Sequence, residues 1–192
     1  TEAVLSVRDL RVEFSTRHGT LVALDGVSFD IAPGEVLGMV GESGAGKSLT
    51  GSAIIGLLEP PGRTTGGEIL LRGRRIDNLP ASEMRGIRGK RIGMVFQDPL
   101  TSLNPLYTIA EQLIETIRTH RSLTASQARL RAIELLDRVG IPAAARRIDD
   151  YPHHFSGGMR QRLQIARNLI TQPRLVFMDE PTSGLDVSVQ AK

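Results

Sequence analysis

The chain has 192 residues, 40% hydrophobic and 23% charged, with 24 Lys and Arg against 21 Asp and Glu, a formal net charge of +3. It contains no cysteine, which excludes disulfides and thiolate chemistry, and no apolar run approaches the roughly 20 residues of a membrane-spanning helix. The densest basic run, RGIRGKR at 85–91, reads as solvated surface rather than a nucleic-acid groove. Such a groove needs a one-sided excess and stacking aromatics, and the chain has two Tyr, five Phe and no Trp.

The N-terminal TEAVLSVRDL lacks the basic-then-apolar pattern of a signal peptide. Leu5–Phe14 alternates as a strand on an exposed sheet. Ala23–Gly41 reads as a strand, a turn at Pro33 and Gly34, and a second strand. The continuously apolar run Val36–Val40 predicts a strand buried on both faces, as in a parallel sheet. It runs into a glycine loop and a helix from Lys47 to Leu57. Short strands follow at 66–73 and 91–97. From 109 to 139 the apolar spacing becomes i, i+3, i+4, predicting helices over 109–118 and 125–140, the second starting behind Thr124 and ending at Gly140. A linker, 141–155, precedes a helix capped by Ser156 whose apolar face runs through Met159, Leu163, Ala166, Leu169 and Ile170. Residues 174–180, RLVFMDE, form a strand ending in two acids. The organisation is α/β, interrupted by a helical insert of roughly 70 residues.

Four stretches carry chemistry. GESGAGKS, Gly41 to Ser48, fits G-x-x-x-x-G-K-[ST] between a strand and a helix. Its glycines let backbone N–H groups wrap phosphates, and the helix N-terminus adds about half a positive charge. The candidate nucleotide-binding set is Gly41, Glu42, Ser43, Gly44, Ala45, Gly46, Lys47 and Ser48, with Lys47 reaching the β- and γ-phosphates and the Ser48 hydroxyl on Mg²⁺. Asp179, at the end of a strand, can hold the Mg²⁺ shell through water, and Glu180 can polarise the attacking water. Gln97, at another strand end, can touch both metal and water. In the fourth stretch, HHFSGGMRQR, Gly157 and Gly158 occupy a helical first turn where better helix formers are preferred. Their use is to leave backbone N–H groups bare for an anion. His153 and His154 lack the spaced partners of a metal site.

Together these pieces resemble the ATP-binding-cassette ATPases, in the right order over essentially the whole chain. GESGAGKS resembles their Walker A, Gln97 their Q-loop, FSGGMRQR their signature motif, RLVFMDE their Walker B and SGLD, ending at Asp186, their D-loop. The resemblance places Phe14 where an aromatic stacks on adenine. VFQDPLTSLNP and YPHHFSGGMRQRLQIARNL are similar to the importers of peptides, nickel and related solutes. An ATP-binding protein of carbon–phosphorus lyase is the second resemblance. The generic signature is Leu-Ser-Gly-Gly-Gln; here Phe155 and Met159 replace its ends, and Met159 cannot donate the hydrogen bond of a Gln.

The resemblance implies a P-loop NTPase fold: a RecA-like core with an antiparallel β subdomain over 1–97 and 172–192, and an α-helical signature subdomain over 98–171. It implies further strands after Lys192, with a γ-phosphate-contacting histidine, so that the chain is C-terminally truncated, binds nucleotide weakly and hydrolyses it poorly. It also implies ATP and Mg²⁺ as ligands and a head-to-tail dimer, with a second copy or a related subunit, sandwiching two ATPs. In that arrangement Glu180 and Gln97 are catalytic, Ser48, Gln97 and Asp179 hold the metal, and Phe14, Ser156, Gly157, Gly158 and Asp186 join the loop in contacting nucleotide. The expected partners are membrane permease subunits with a solute-binding protein upstream, and the expected place is the cytoplasmic face of the inner membrane.

Overall fold

Strand β1 (Leu5–Thr16) is the spine of a four-stranded antiparallel sheet in a computed structural model that describes residues 2–42, 44, 46–95 and 103–180. Contacts divide the chain into two units, residues 1–88 and 89–192. In the first, β1 pairs with β2 (Gly19–Ile31) on one side and β3 (Gly62–Leu71) on the other, and β4 (Arg74–Arg75) closes the edge. Strict alternation does not hold along β1, because Leu5, Val7, Leu10 and Val12 are all buried. A bulge accounts for the phase change: the register shifts between Val7 and Leu10, and Asp9 sits at φ 46° with its N–H donated to Ser28 Oγ at 2.8 Å. β1 is therefore an interior strand, longer than the sequence predicts.

Two helices complete this unit. Helix α1 (Lys47–Ile54) ends earlier than Leu57, at a turn where Arg88 donates to the carbonyls of Ile55 and Gly56 at 2.7 and 2.8 Å. Those carbonyls lack intrahelical partners, and a guanidinium satisfies two at once. Helix α2 (Ala81–Ile87) buries Met84 and Ile87. Neither α2 nor β4 is predicted from the periodicity.

The expectation for Val36–Val40 is overturned. The segment forms no strand, and Val36 and Val40 are 96% and 99% exposed. An apolar run records a preference for burial but does not supply the neighbouring strands. A parallel strand needs long-range hydrogen-bonded partners, and among the described residues none pairs with this segment.

In the second unit β5 (Ile92–Val95) and β6 (Leu175–Met178) pair in parallel, Ile92 opposite Leu175 through Val95 opposite Met178. The elements described between them are all helices, so the insert is an excursion between neighbouring strands. Helices α3 (Ile109–His120) and α4 (Ala125–Arg138) each open with a complete capping box, Thr108 with Glu111 and Thr124 with Gln127. The end of α4 is a Schellman motif: Ile141 N–H reaches Leu136 O at 2.9 Å, Gly140 N–H reaches Asp137 O at 3.0 Å, and Gly140 takes φ 79°. The predicted linker holds a short helix, α5 (Ala144–Arg147), before α6 (Gly157–Leu169). Leu113, Ile117, Leu136, Ile148 and Leu163 are at most 1% exposed in the shared core of these helices.

Candidate functional site

Helix α1 begins without the usual side-chain cap. Its N-cap is Gly46, at φ 84° and ψ 8°, and its first turn holds no acidic residue. The positive end of the helix is thus not neutralised by an acidic side chain of its own first turn. Gly46 is required twice over: the φ is left-handed, and a Cβ there would lie 2.5 Å from Leu24 Cδ2. Leu24 is buried in β2, so the sheet holds the loop down. Thr50 donates both N–H and Oγ1 to Gly46 O at 2.8 Å, which secures the turn.

Lys47 folds back over the loop, donating from Nζ to Gly41 O at 2.7 Å and Glu42 O at 2.8 Å. An ammonium held on the loop that precedes an uncapped helix start is an arrangement that could hold a phosphate. Gly41, Glu42, Gly44 and Ser48 are exposed, while Ser43 and Ala45 lie outside the described residues. Phe14 is half-buried in the same unit; a Cβ on Gly62, its partner on β3, would lie 2.7 Å from the ring. The ring thus lies across a glycine with no side chain to cover it.

The two acids sit where β6 stops. Asp179 N–H donates to Val95 O at 2.9 Å, carrying the parallel ladder one residue past Met178. Asp179 is half-buried and Glu180 exposed, the latter at φ 45°. A side-chain-bearing residue in that region stores of order 1–3 kcal/mol. Gln97 follows β5 by two residues and, like Asp186, lies outside the described residues.

The third element is the start of α6. Ser156 is its N-cap, with Oγ accepting Met159 N–H at 3.3 Å, and Ser156 and Gly157 are exposed. A Cβ built on Gly157 meets nothing within 4 Å. Phe155, just before the cap, is 4% exposed and anchors the helix start in the core. The far end of α6 is tied to β5, since Asn168 Oδ1 accepts Met94 N–H at 3.2 Å. One helix therefore links the exposed start at Ser156 to the strand that leads to Gln97. Arg162 donates to Val139 O and Gly140 O at 3.0 and 3.3 Å, binding α6 to the end of α4. His153 and His154 pack as rings with Tyr151, centroids 5.7 and 6.2 Å away.

Sequence reasoning missed Arg147. Its guanidinium lies 4.2 Å from the centroid of Phe155 and donates to His154 O at 3.0 Å and to Met159 Sδ at 3.3 Å. Its signal was the Arg146–Arg147 pair inside the linker, which carries no periodicity to mark it.

A glycine loop closed by a lysine, a strand ending in two acids and a glycine-started helix define an ATP-binding cassette. The ABC transporter family profile matches residues 24–183, and the chain belongs to that family. Among its relatives are the oligopeptide transport ATP-binding protein OppD of Escherichia coli and the dipeptide transport ATP-binding protein DppD of Bacillus subtilis, each 48% identical. The matches cover 100% of this chain but 56% and 57% of those proteins, so the chain spans a little over half their length. A dimeric structure of a post-hydrolysis state of the ATP-binding cassette MJ0796, bound to ADP and Pi, is similar at a TM-score of 0.86 and 28% identity. That match covers 97% of this chain and 78% of the other. It establishes the α/β cassette fold, with its antiparallel sheet and helical insert.

Proposed function

We propose that this chain is the ATP-binding and ATP-hydrolysing part of an importer for peptides or related small solutes. The observation that carries the reading is the start of α1: an exposed glycine loop, no acid in the first turn and Lys47 gathered over Gly41 and Glu42. The names of the 48%-identical relatives support peptides as the solute class. The proposed division of the chain is a core over 1–97 and 172–192 and a signature-bearing helical part over 98–171, supported by the pairing of β5 with β6 around the insert.

The chemistry follows from the residues. The triphosphate enters the loop from Gly41 to Ser48, including Ser43 and Ala45, and Lys47 exchanges its two carbonyl bonds for β- and γ-phosphate oxygens. Phe14 stacks on the adenine. Ser48, Gln97 and Asp179 supply the hydroxyl, amide and carboxylate oxygens that suit Mg²⁺, which would neutralise phosphate charge when bound. Glu180 accepts a proton from the attacking water as the bond from the γ-phosphorus to its bridging oxygen breaks, and Gln97 orients that water. Ser156, Gly157 and Gly158 of a second subunit, identical or related, present their N–H groups to the γ-phosphate, with Asp186 beside the same interface. ATP closes this sandwich and hydrolysis loosens it.

Permease subunits convert closure and opening into alternating access, docking on the helical part near the segment after Gln97, with a solute-binding protein upstream. The place of action is then the cytoplasmic face of the membrane, held peripherally. Among the described residues no helix is long and apolar enough to cross a membrane. The test is Ser156→Arg in the full-length protein. Binding of a fluorescent ATP analogue is expected to stay within about twofold while ATP-driven dimerisation disappears, because the bulk of an arginine side chain fills the space one phosphate would occupy at this helix start. Normal dimerisation of the variant would refute the reading.

A further inference from the structure

Arg147 is held where it can act on the signature segment. It ends α5, whose Ala144 and the following Ile148 are 1% and 0% exposed. The next residues carry the backbone of the α3 start: Ala110 N–H donates to Ile148 O at 2.7 Å and Ile109 N–H to Asp150 O at 3.0 Å. Asp149 receives a two-pronged bond from Arg129, at 2.8 and 2.6 Å. With its backbone anchored on both sides, the Arg147 side chain is 24% exposed and spends its donors locally. Nε reaches Asp150 Oδ2 at 3.3 Å, Nη2 reaches His154 O at 3.0 Å, Nη1 reaches Met159 Sδ at 3.3 Å, and the guanidinium covers the Phe155 ring at 4.2 Å.

These contacts bracket Ser156–Gly158 from both sides. Phe155 and Met159 are also the two positions at which this chain departs from Leu-Ser-Gly-Gly-Gln. A leucine offers a cation no ring face, and a glutamine offers no soft, polarizable sulfur. One guanidinium therefore holds both departures. Its planar fork can cover a ring and donate in plane to two acceptors at once, which an ammonium cannot do.

We propose that Arg147 is a positioning residue for the signature helix. It clamps Phe155 and Met159 and so sets the direction in which the Ser156–Gly158 N–H groups face a second subunit's nucleotide. Phe155 and Met159 are its paired counterparts, so that Arg147 and the Phe-Ser-Gly-Gly-Met form of the motif work as a unit. This rests on the dimer reading given above.

The experiment is a mutant cycle in the full-length protein, read by sedimentation with a non-hydrolysable ATP analogue, by fluorescent-nucleotide binding to the monomer and by thermal midpoint. Arg147→Met is expected to leave monomer binding within about twofold and to raise the analogue concentration for half-dimerisation about tenfold, the weight of one charge-assisted bond. Arg147→Lys keeps the charge without the fork and is expected to lose at least about threefold. In a Phe155→Leu, Met159→Gln background the Arg147→Met penalty is expected to fall below about twofold, because the clamp has nothing specific left to hold. An equal penalty in both backgrounds would overturn the pairing. Wild-type dimerisation of Arg147→Met, with Ser156→Arg still blocking it, would overturn this inference alone, whereas normal dimerisation of Ser156→Arg would remove the reading beneath it. Should Arg147→Met not fold, Arg147→Lys decides: a loss at unchanged thermal midpoint supports the clamp, and wild-type behaviour overturns it.

Discussion

Gly157 is the first helical residue of α6, it is exposed, and a Cβ added to it meets no atom within 4 Å. Its φ is not in the left-handed region, so alanine fits the backbone as it stands. Removing the freedom of a glycine from the unfolded chain at such a site stabilises by about 0.4–1 kcal/mol. For a chain of this size 1 kcal/mol corresponds to about 2–4 °C in thermal midpoint. Gly157→Ala is therefore expected to raise the midpoint of the nucleotide-free protein by about 1–4 °C. Its function should move the other way. The methyl group occupies the open space beside the helix-start N–H groups, and ATP-driven dimerisation should weaken at least about tenfold, the weight of one lost bond to a charged group. Differential scanning fluorimetry reads the first effect and sedimentation with ATP reads the second. A raised midpoint with undiminished dimerisation would refute the assignment of this helix start to a phosphate. A lowered midpoint would refute the claim that the site is open.

Gly46→Ala forces a side chain into the left-handed region, at about 1–2 kcal/mol, and presses a Cβ to 2.5 Å from Leu24 Cδ2. Both the thermal midpoint and fluorescent-nucleotide affinity should fall, and an unchanged midpoint would contradict the packing described. Glu180→Gln removes the proposed proton acceptor but no phosphate contact. ATP binding should persist while turnover, measured by phosphate release, drops about 10²–10⁴-fold; unchanged turnover would exclude Glu180 as the base. Asp77 bears on acid stability. Burial opposes its charge, but hydrogen bonds from Arg75 and from the backbone N–H groups of Ile69 and of Asp77 itself outweigh that and hold its carboxyl below the ordinary 3.8. A carboxyl lowered on folding stabilises the protein above its unfolded value, and that contribution is lost as pH falls through the folded one. Asp77→Asn should cost about 1–2 kcal/mol at neutral pH, and the gap to wild type should close at acid pH in urea titrations. A gap independent of pH would refute the linkage.

The legible parts of the molecule are local. Thr124 and Gly140 bound α4 as their residue types dictate, one completing a capping box and the other taking the left-handed turn. Ser156 caps α6, and Leu163, Ala166 and Ile170 from its predicted apolar face are buried. The loop before α1 and the acids after β6 could be placed because each directly adjoins, in the chain, the helix or strand that carries it. Val36–Val40 shows the limit of such reading. Its composition states that it belongs between layers, but strand pairing is decided by distant segments. The Asp9 bulge, which swaps the buried face midway along β1, is likewise a matter of pairing with Ser28 and β3.

By itself the sequence determined where the helix starts and strand ends fall that carry the proposed phosphate and metal groups, because those relations span a few residues and follow from cap, glycine and strand-end chemistry. The tertiary structure alone decided what holds these pieces in place. Arg147 touches Phe155 and Met159 only because α5 and the start of α6 are packed on one core. Asn168 binds Met94, 74 residues away, only because α6 lies against β5. Contacts of that kind arise from burial of apolar faces, which is non-directional, so the partners are chosen by the whole fold and not by any stretch of the chain.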